Sequence, residues 1–258
     1  MVTKDFAAFT VGAMLLVFGA IKAQITEDDL NKSANPHLNK HAYVVADSMW
    51  PKGNPIYVCW ENPDPQYVEG MDTVKKAITD TWVKASALDF EGWERCAPVN
   101  RGIRILIDDS GALTHAIGRH LEEEDNGVIQ GRKNGMVLNF TFHNWSQDCQ
   151  TTRDDCISGI AVHEFGHAIG FVHEQNGPDV PGECREPPDG PKGDLMLTRY
   201  DRKSVMNYCN PEWSDGKLSA CDIDAVQHLY GAPGTNQQES LSIAPPLVGS
   251  KSKCVSEE

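Results

Sequence analysis

The sequence predicts an α+β fold in one domain, because strand-like segments precede the strongest helical ones. Short β-branched and aromatic runs stand at residues 54–60, 103–107 and 136–142. Helical patterns follow at 158–169 and 219–230, and no internal repeat interrupts them. With 258 residues, 40% hydrophobic and 23% charged, the chain can bury a full core and has a globular composition.

Taken in order, residues 6–21 form an apolar stretch behind Lys4 with small residues after it, the pattern of a secretory signal peptide over residues 1–23. At 16 residues, with Thr10 and two glycines inside, it falls short of the ~20 that span a bilayer, so no stable membrane anchor is expected. Residues 24–48 are polar and weakly patterned, and read as a pro-segment or an N-terminal arm ahead of a domain at 49–231. The segment NPIYVCW (54–60) reads as a strand. Asp72 opens a helix with Val74, Ile78, Trp82 and Ala85 on one face. IRILI (103–107) is a second strand, closed by the turn-prone DDSG. The stretch 113–120 is ambiguous, and the acidic run 122–125 reads as a solvated loop rather than a calcium site. MVLNFTF (136–142) alternates as a third strand. After the helix at 158–169, the Pro/Gly-rich connection 175–193 is too broken for regular structure. Ser219 and Asp222 form a capping box, Ile223, Val226 and Tyr230 line one face, and Gly231 ends the helix. Residues 232–258 read as a flexible tail unless Cys254 fastens it.

Charge and cysteines narrow the setting. There are 23 Lys and Arg against 37 Asp and Glu, a net charge of −14, which argues against nucleic acid as a partner. Eight cysteines behind a signal peptide imply disulfides and a secreted, extracellular protein. None form C-x-x-C pairs, so a cysteine metal site is not expected. Eight cysteines allow about 105 pairings and sequence does not choose among them. Pairing in chain order, Cys59–Cys96, Cys149–Cys156, Cys184–Cys209 and Cys221–Cys254, is the working expectation. Asn31, Asn139 and Asn144 begin N-x-S/T sequons.

The chemistry sits in AVHEFGHAIGFVHE (161–174). His163 and His167 are four apart, so on a helix their imidazoles share a face and can meet one metal. Glu164 lies where its carboxylate can reach a metal-held water. Gly170 permits a left-handed turn that would return His173 as a third ligand. Three neutral imidazoles and an open fourth position describe a catalytic Zn²⁺ site, with Glu164 as general base.

Residues 163–173 match H-E-x-x-H-x-x-G-x-x-H, and on this motif the chain resembles the metzincin zinc endopeptidases. Among these it is most similar to the astacins: Glu174 follows the third histidine, and YDRKSVMNY (200–208) resembles the astacin Met-turn. The resemblance implies a metzincin-like catalytic domain, with a twisted mixed sheet, an active-site helix and a C-terminal helix. It implies that Met206 floors the zinc ligands, that Tyr208 ligates zinc or stabilises the transition state, and that Glu174 links to a buried mature N-terminus. Protein or peptide substrates follow from the same likeness. The alternative is a catalytically silent zinc-binding interaction module on the same scaffold. Asn207 stands where astacins commonly have His, and the insert 175–193 departs from the astacin pattern.

Overall fold

The computed structural model describes residues 42–197 and 199–235 together with Cys254, all within one unit, His37–Glu258. The signal peptide, residues 24–41 with Asn31, and most of the tail lie outside the described residues. Among the described residues the strands are β1 (Tyr43–Val44), β2 (Ile56–Trp60), β3 (Phe90–Arg95), β4 (Ile103–Ile107), β5 (Leu113–Thr114), β6 (Glu122–Asp125), β7 (Val128–Gly131), β8 (Met136–Leu138) and β9 (Leu195–Met196). The α-helices are α1 (Val68–Ile78), α2 (Arg153–Ala168) and α3 (Ala220–Tyr230). This is the expected α+β architecture.

The main sheet has the order β3-β2-β4-β8-β5. Its first four strands are parallel and β5 runs antiparallel along one edge, so the sheet is mixed. β4 is central and almost wholly buried, as a strand covered on both faces and apolar at four of its five positions requires. Its one charged residue, Arg104, is buried and makes a two-pronged contact with Glu61 at 2.8 and 3.1 Å. The fork geometry satisfies both partners and makes the burial tolerable.

Several expectations need correction. β3 is not among the expected strands at all: Gly92 and Trp93 take φ of 92° and 74°, and the register with β2 slips at Val58/Cys59. The acidic run 122–125 is not a loop. It is strand β6, paired with β7 through Asn126–Gly127, both at positive φ, which is hairpin-turn chemistry. Glu122 accepts from Arg101 at 2.8 and 3.0 Å and from the Gly102 amide. The third strand ends at Leu138 rather than residue 142: the Asn139 side chain accepts from the Thr141 and Phe142 amides, and Phe142 has φ of 55°. Asn139 is 1% exposed and also donates to Asp109 and Ser110, so this sequon is closed to a glycan. α1 begins at Val68, before Asp72, because Asp64 accepts from the Gln66 amide and Pro65 starts a 3₁₀ turn that leads into it. The ambiguous stretch 113–120 contains β5 and the start of the 3₁₀ turn Gly118–Leu121.

The helix expected at 158–169 begins earlier, at Arg153, and ends at Ala168. The following expectations stand as read. Beyond a single 3₁₀ turn, Glu174–Asn176, the connection to residue 193 has no regular element. Ser219 accepts from the Cys221 and Asp222 amides, and Asp222 returns the bond to the Ser219 amide. All four disulfides pair in chain order. Cys254 is buried against Cys221 at the head of α3, so the tail is fastened at that point.

The core lies between the sheet and the helices. Trp82 donates its Nε1 to Val162 O of α2 at 2.9 Å and packs on Phe171 at 5.3 Å between ring centres. Phe165 fills the space between α2 and β3, 5.4 Å from Phe90 and 5.9 Å from Trp93. The C-terminal carbonyls of α2 would be orphaned in this core. Trp50 Nε1 donates to Ala168 O at 2.7 Å and the Tyr230 hydroxyl to Ile169 O at 2.8 Å, which satisfies them.

Residues 42–48 form an arm packed into the domain. β1 pairs with β9, and Val45 N and Val172 N close hydrogen bonds with Gly170 O and Tyr43 O across the turn after α2.

Candidate metal centre

α2 carries His163 and His167 one turn apart on a face buried in the domain. The helix then stops in a Schellman turn. Phe171 N donates to Gly166 O at 3.0 Å and Gly170 N to His167 O at 3.1 Å. Gly170 has φ of 109°, and a Cβ there would overlap the Met49 side chain, so only glycine suits the position. The chain leaves the turn extended and brings His173 back onto the other two rings.

The three Nε2 atoms converge. Those of His163 and His167 each lie 3.1 Å from that of His173. Each ring's other nitrogen sits on a backbone carbonyl: His163 Nδ1 on Val205 O at 2.8 Å, His167 Nδ1 on Phe171 O at 2.9 Å, and His173 Nδ1 on Asp189 O at 2.9 Å. A carbonyl only accepts, so every Nδ1 carries the hydrogen and every Nε2 presents a bare lone pair. Burial also disfavours the imidazolium. It lowers His163 to about 3 and His167 well below its ordinary value, with His173 lowered as well. Three lone pairs gathered within 4.8 Å of one another, two of the pairs at 3.1 Å, repel unless a cation lies among them. A tetrahedral zinc with bonds of about 2.05 Å would set its ligand nitrogens about 3.3 Å apart, close to what is seen. The residues therefore fit Zn²⁺, and among the described residues this is where three metal-ligating side chains gather.

The cluster fits the metzincin zinc site.

The other residues singled out by the metzincin resemblance fall around it. Met206 is fully buried, and Gly166 is where it meets α2: a Cβ at Gly166 would overlap its Sδ. Met206 O also accepts from Glu174 N at 3.0 Å, tying the Met206 turn to the segment after the third histidine. Tyr208 stacks on His163 at 5.2 Å between ring centres, lies tilted against His173 at 4.4 Å, and sits beside Trp213 at 5.4 Å. Burial, with Glu164 and Asp189 nearby, pushes its phenol well above the ordinary range, so it stays protonated at neutral pH. Glu164 is buried. The Thr114 hydroxyl of β5 donates to its Oε2 at 2.7 Å, and burial raises its carboxyl to about 7. Glu174 points elsewhere. Its Oε2 accepts from the Asp201 amide at 2.9 Å, and burial, with the Asp201 and Asp222 carboxylates nearby, raises its carboxyl well above the usual range.

Glu164 and Tyr208 open onto a cavity of about 370 Å³ beside the histidines. Ala112 and Ile160 supply aliphatic wall, Trp145 and Trp213 aromatic wall, and Glu186 of the insert stands at its margin. Sequence reasoning missed Thr114, Glu186, Trp145 and Trp213, which come from four separate segments. It also missed Gly166, whose one available signal was a glycine in a helix interior.

No family model matches the chain. It is similar to matrix metalloproteinase-27 of Tupaia belangeri, 23% identical over 205 residues, covering 76% of this chain and 33% of that protein. It is also similar to macrophage metalloelastase of Rattus norvegicus, 31% identical over 102 residues, covering 40% of this chain and 16% of that protein. The chain thus spans a third or less of the length of these relatives. Among solved structures, myroilysin overlays with a TM-score of 0.49 at 21% identity, covering 72% of this chain and 97% of that one. High choriolytic enzyme 1, a hatching-enzyme zinc-protease of Oryzias latipes, overlays with a TM-score of 0.46 at 17% identity, covering 75% of this chain and 100% of that one.

Proposed function

We propose that the chain is a secreted, astacin-like metzincin that hydrolyses peptide bonds within proteins, using one zinc ion and Glu164 as general base. One observation carries the reading: three imidazole lone pairs meet beside an open cavity that also receives the Glu164 carboxylate and the Tyr208 phenol. A zinc ion on His163, His167 and His173 would supply Lewis acidity, polarising a carbonyl and acidifying water. The rest falls to side chains. Glu164, with a carboxyl raised to about 7, can take a proton near neutral pH and return it to the leaving amine. Thr114 fixes Oε2, which orients the carboxylate without neutralising it. Tyr208, held protonated, can donate to the oxygen on which negative charge grows. Gly170 and Met206 support the ligands from behind. Glu174 organises the Met-turn through Asp201.

Four disulfides suit an oxidising compartment, and among the described residues no helix is long and apolar enough to cross a membrane. The test is digestion of an unfolded protein such as casein by zinc-loaded protein. Internal cuts that stop with phenanthroline and return with added zinc support the reading. A zinc-loaded protein that cuts nothing rejects it.

Tyr208→Phe keeps the ring packed against His163 and His173 and removes only the hydroxyl. Turnover is expected to fall tenfold or more, about 1.4 kcal/mol in the barrier, with KM little changed. Unaltered kcat with a lower melting temperature would make Tyr208 a packing residue.

A further inference from the structure

The insert 175–193 carries Glu186 to the cavity, and its position there is built rather than incidental. Cys184 is cross-linked to Cys209, the residue after Tyr208. Five residues further on, at Asp189, the Asn176 side chain holds the backbone: its Nδ2 donates to Asp189 O at 2.6 Å and Pro191 O at 3.0 Å, and its Oδ1 accepts from Asp189 N at 2.9 Å. Asp189 O in turn accepts from His173. Glu186 thus sits on a short bridge clamped at one end to the Tyr208 segment and at the other to the third histidine. Pro187 and Pro188 restrict that bridge further.

Glu186 has no hydrogen bond or ion pair among the described residues, and its side chain is exposed at the margin of the cavity. No lysine, arginine or histidine lines this cavity, and the adjacent Arg185 is not part of its wall. Its walls include two indoles, Trp145 and Trp213, whose faces attract cations. An unpaired carboxylate, aromatic walls and a lining free of basic side chains form a receptor for positive charge. The clamp reduces the ordering cost of using it. We propose that Glu186 seats a lysine or arginine side chain of the substrate in this cavity, next to the bond that is cut. This rests on the endopeptidase reading above and adds a substrate class to it.

The test uses the zinc-loaded full protein and peptides of fixed sequence that carry lysine, or its uncharged isostere norleucine, at each position in turn. At one position beside the cut, lysine should be preferred over norleucine in kcat/KM by tenfold or more. Glu186→Gln should reduce that ratio about tenfold, and Glu186→Lys should reverse it in favour of a glutamate peptide. In parallel, the Glu164→Gln protein is titrated with the lysine and norleucine peptides by tryptophan fluorescence, and tighter binding of the lysine peptide is expected to disappear on adding Glu186→Gln. A lysine ratio unmoved by Glu186→Gln overturns the proposal and leaves the endopeptidase reading standing. If neither peptide is cut, the endopeptidase reading fails, and the proposal is then decided by the titration, equal binding overturning it.

Discussion

Glu164→Gln is expected to lower kcat by about 10²–10⁴-fold while the protein keeps its fold and its zinc. Glutamine is nearly isosteric and can still accept the Thr114 hydroxyl bond through its amide oxygen. What it loses is the ability to take up a proton. The carboxyl is buried and raised to about 7, so near neutral pH it is divided between a base that can accept a proton and an acid that can return it. Removing that group should appear in turnover rather than in KM. Steady-state kinetics beside metal analysis and circular dichroism would separate these effects. Near-normal kcat in a zinc-loaded variant would assign proton transfer to another group.

The second large effect is expected from His173→Ala. His163 and His167 are fixed by the helix, but two imidazoles leave the ion without the third lone pair that closes the set. Zinc content should fall below about a tenth of an equivalent and cleavage by on the order of 10³-fold or more. The melting temperature should fall to that of metal-free wild type, and a chelator should lower it no further, because ligand-linked stabilisation is already gone. A His173→Ala protein that keeps both zinc and cleavage would disprove the three-histidine set.

His173 also shows where sequence reading succeeds and where it stops. The three histidines and Gly170 were legible because side-chain chemistry at fixed spacing defines them, and the spacing survives folding. Ser219 and Asp222 were legible for a similar reason, since a capping box is local. The acceptors that set the imidazole tautomers were not. Val205, Phe171 and Asp189 contribute backbone carbonyls, which any residue could supply, so their identity carries no signal. β3 was hidden by the positive φ of Gly92 and Trp93, and β6 by glutamates that pair in a hairpin despite poor strand propensity. Glu164 was recognised by its place in the motif. Its partner Thr114, from a two-residue edge strand fifty positions away, was visible only once the chain was folded.

The arm at residues 42–48 bears on when the metal centre can form. Tyr43 and its contact at Gly193 are 150 positions apart, and the arm closes hydrogen bonds to Gly170, Val172, Asp194 and Leu197. On the ribosome the arm emerges early and waits with its strand edges unpaired until nearly the whole domain has followed. The acceptor for His163 lies at Val205 and that for His173 at Asp189, both downstream of the ligands they orient. Closing such distant contacts is slow and comes late in folding. A nascent chain halted just after residue 173 would hold all three histidines and still lack two of the three carbonyls that aim them. Zinc capture in its final geometry therefore waits until the chain has grown past Val205.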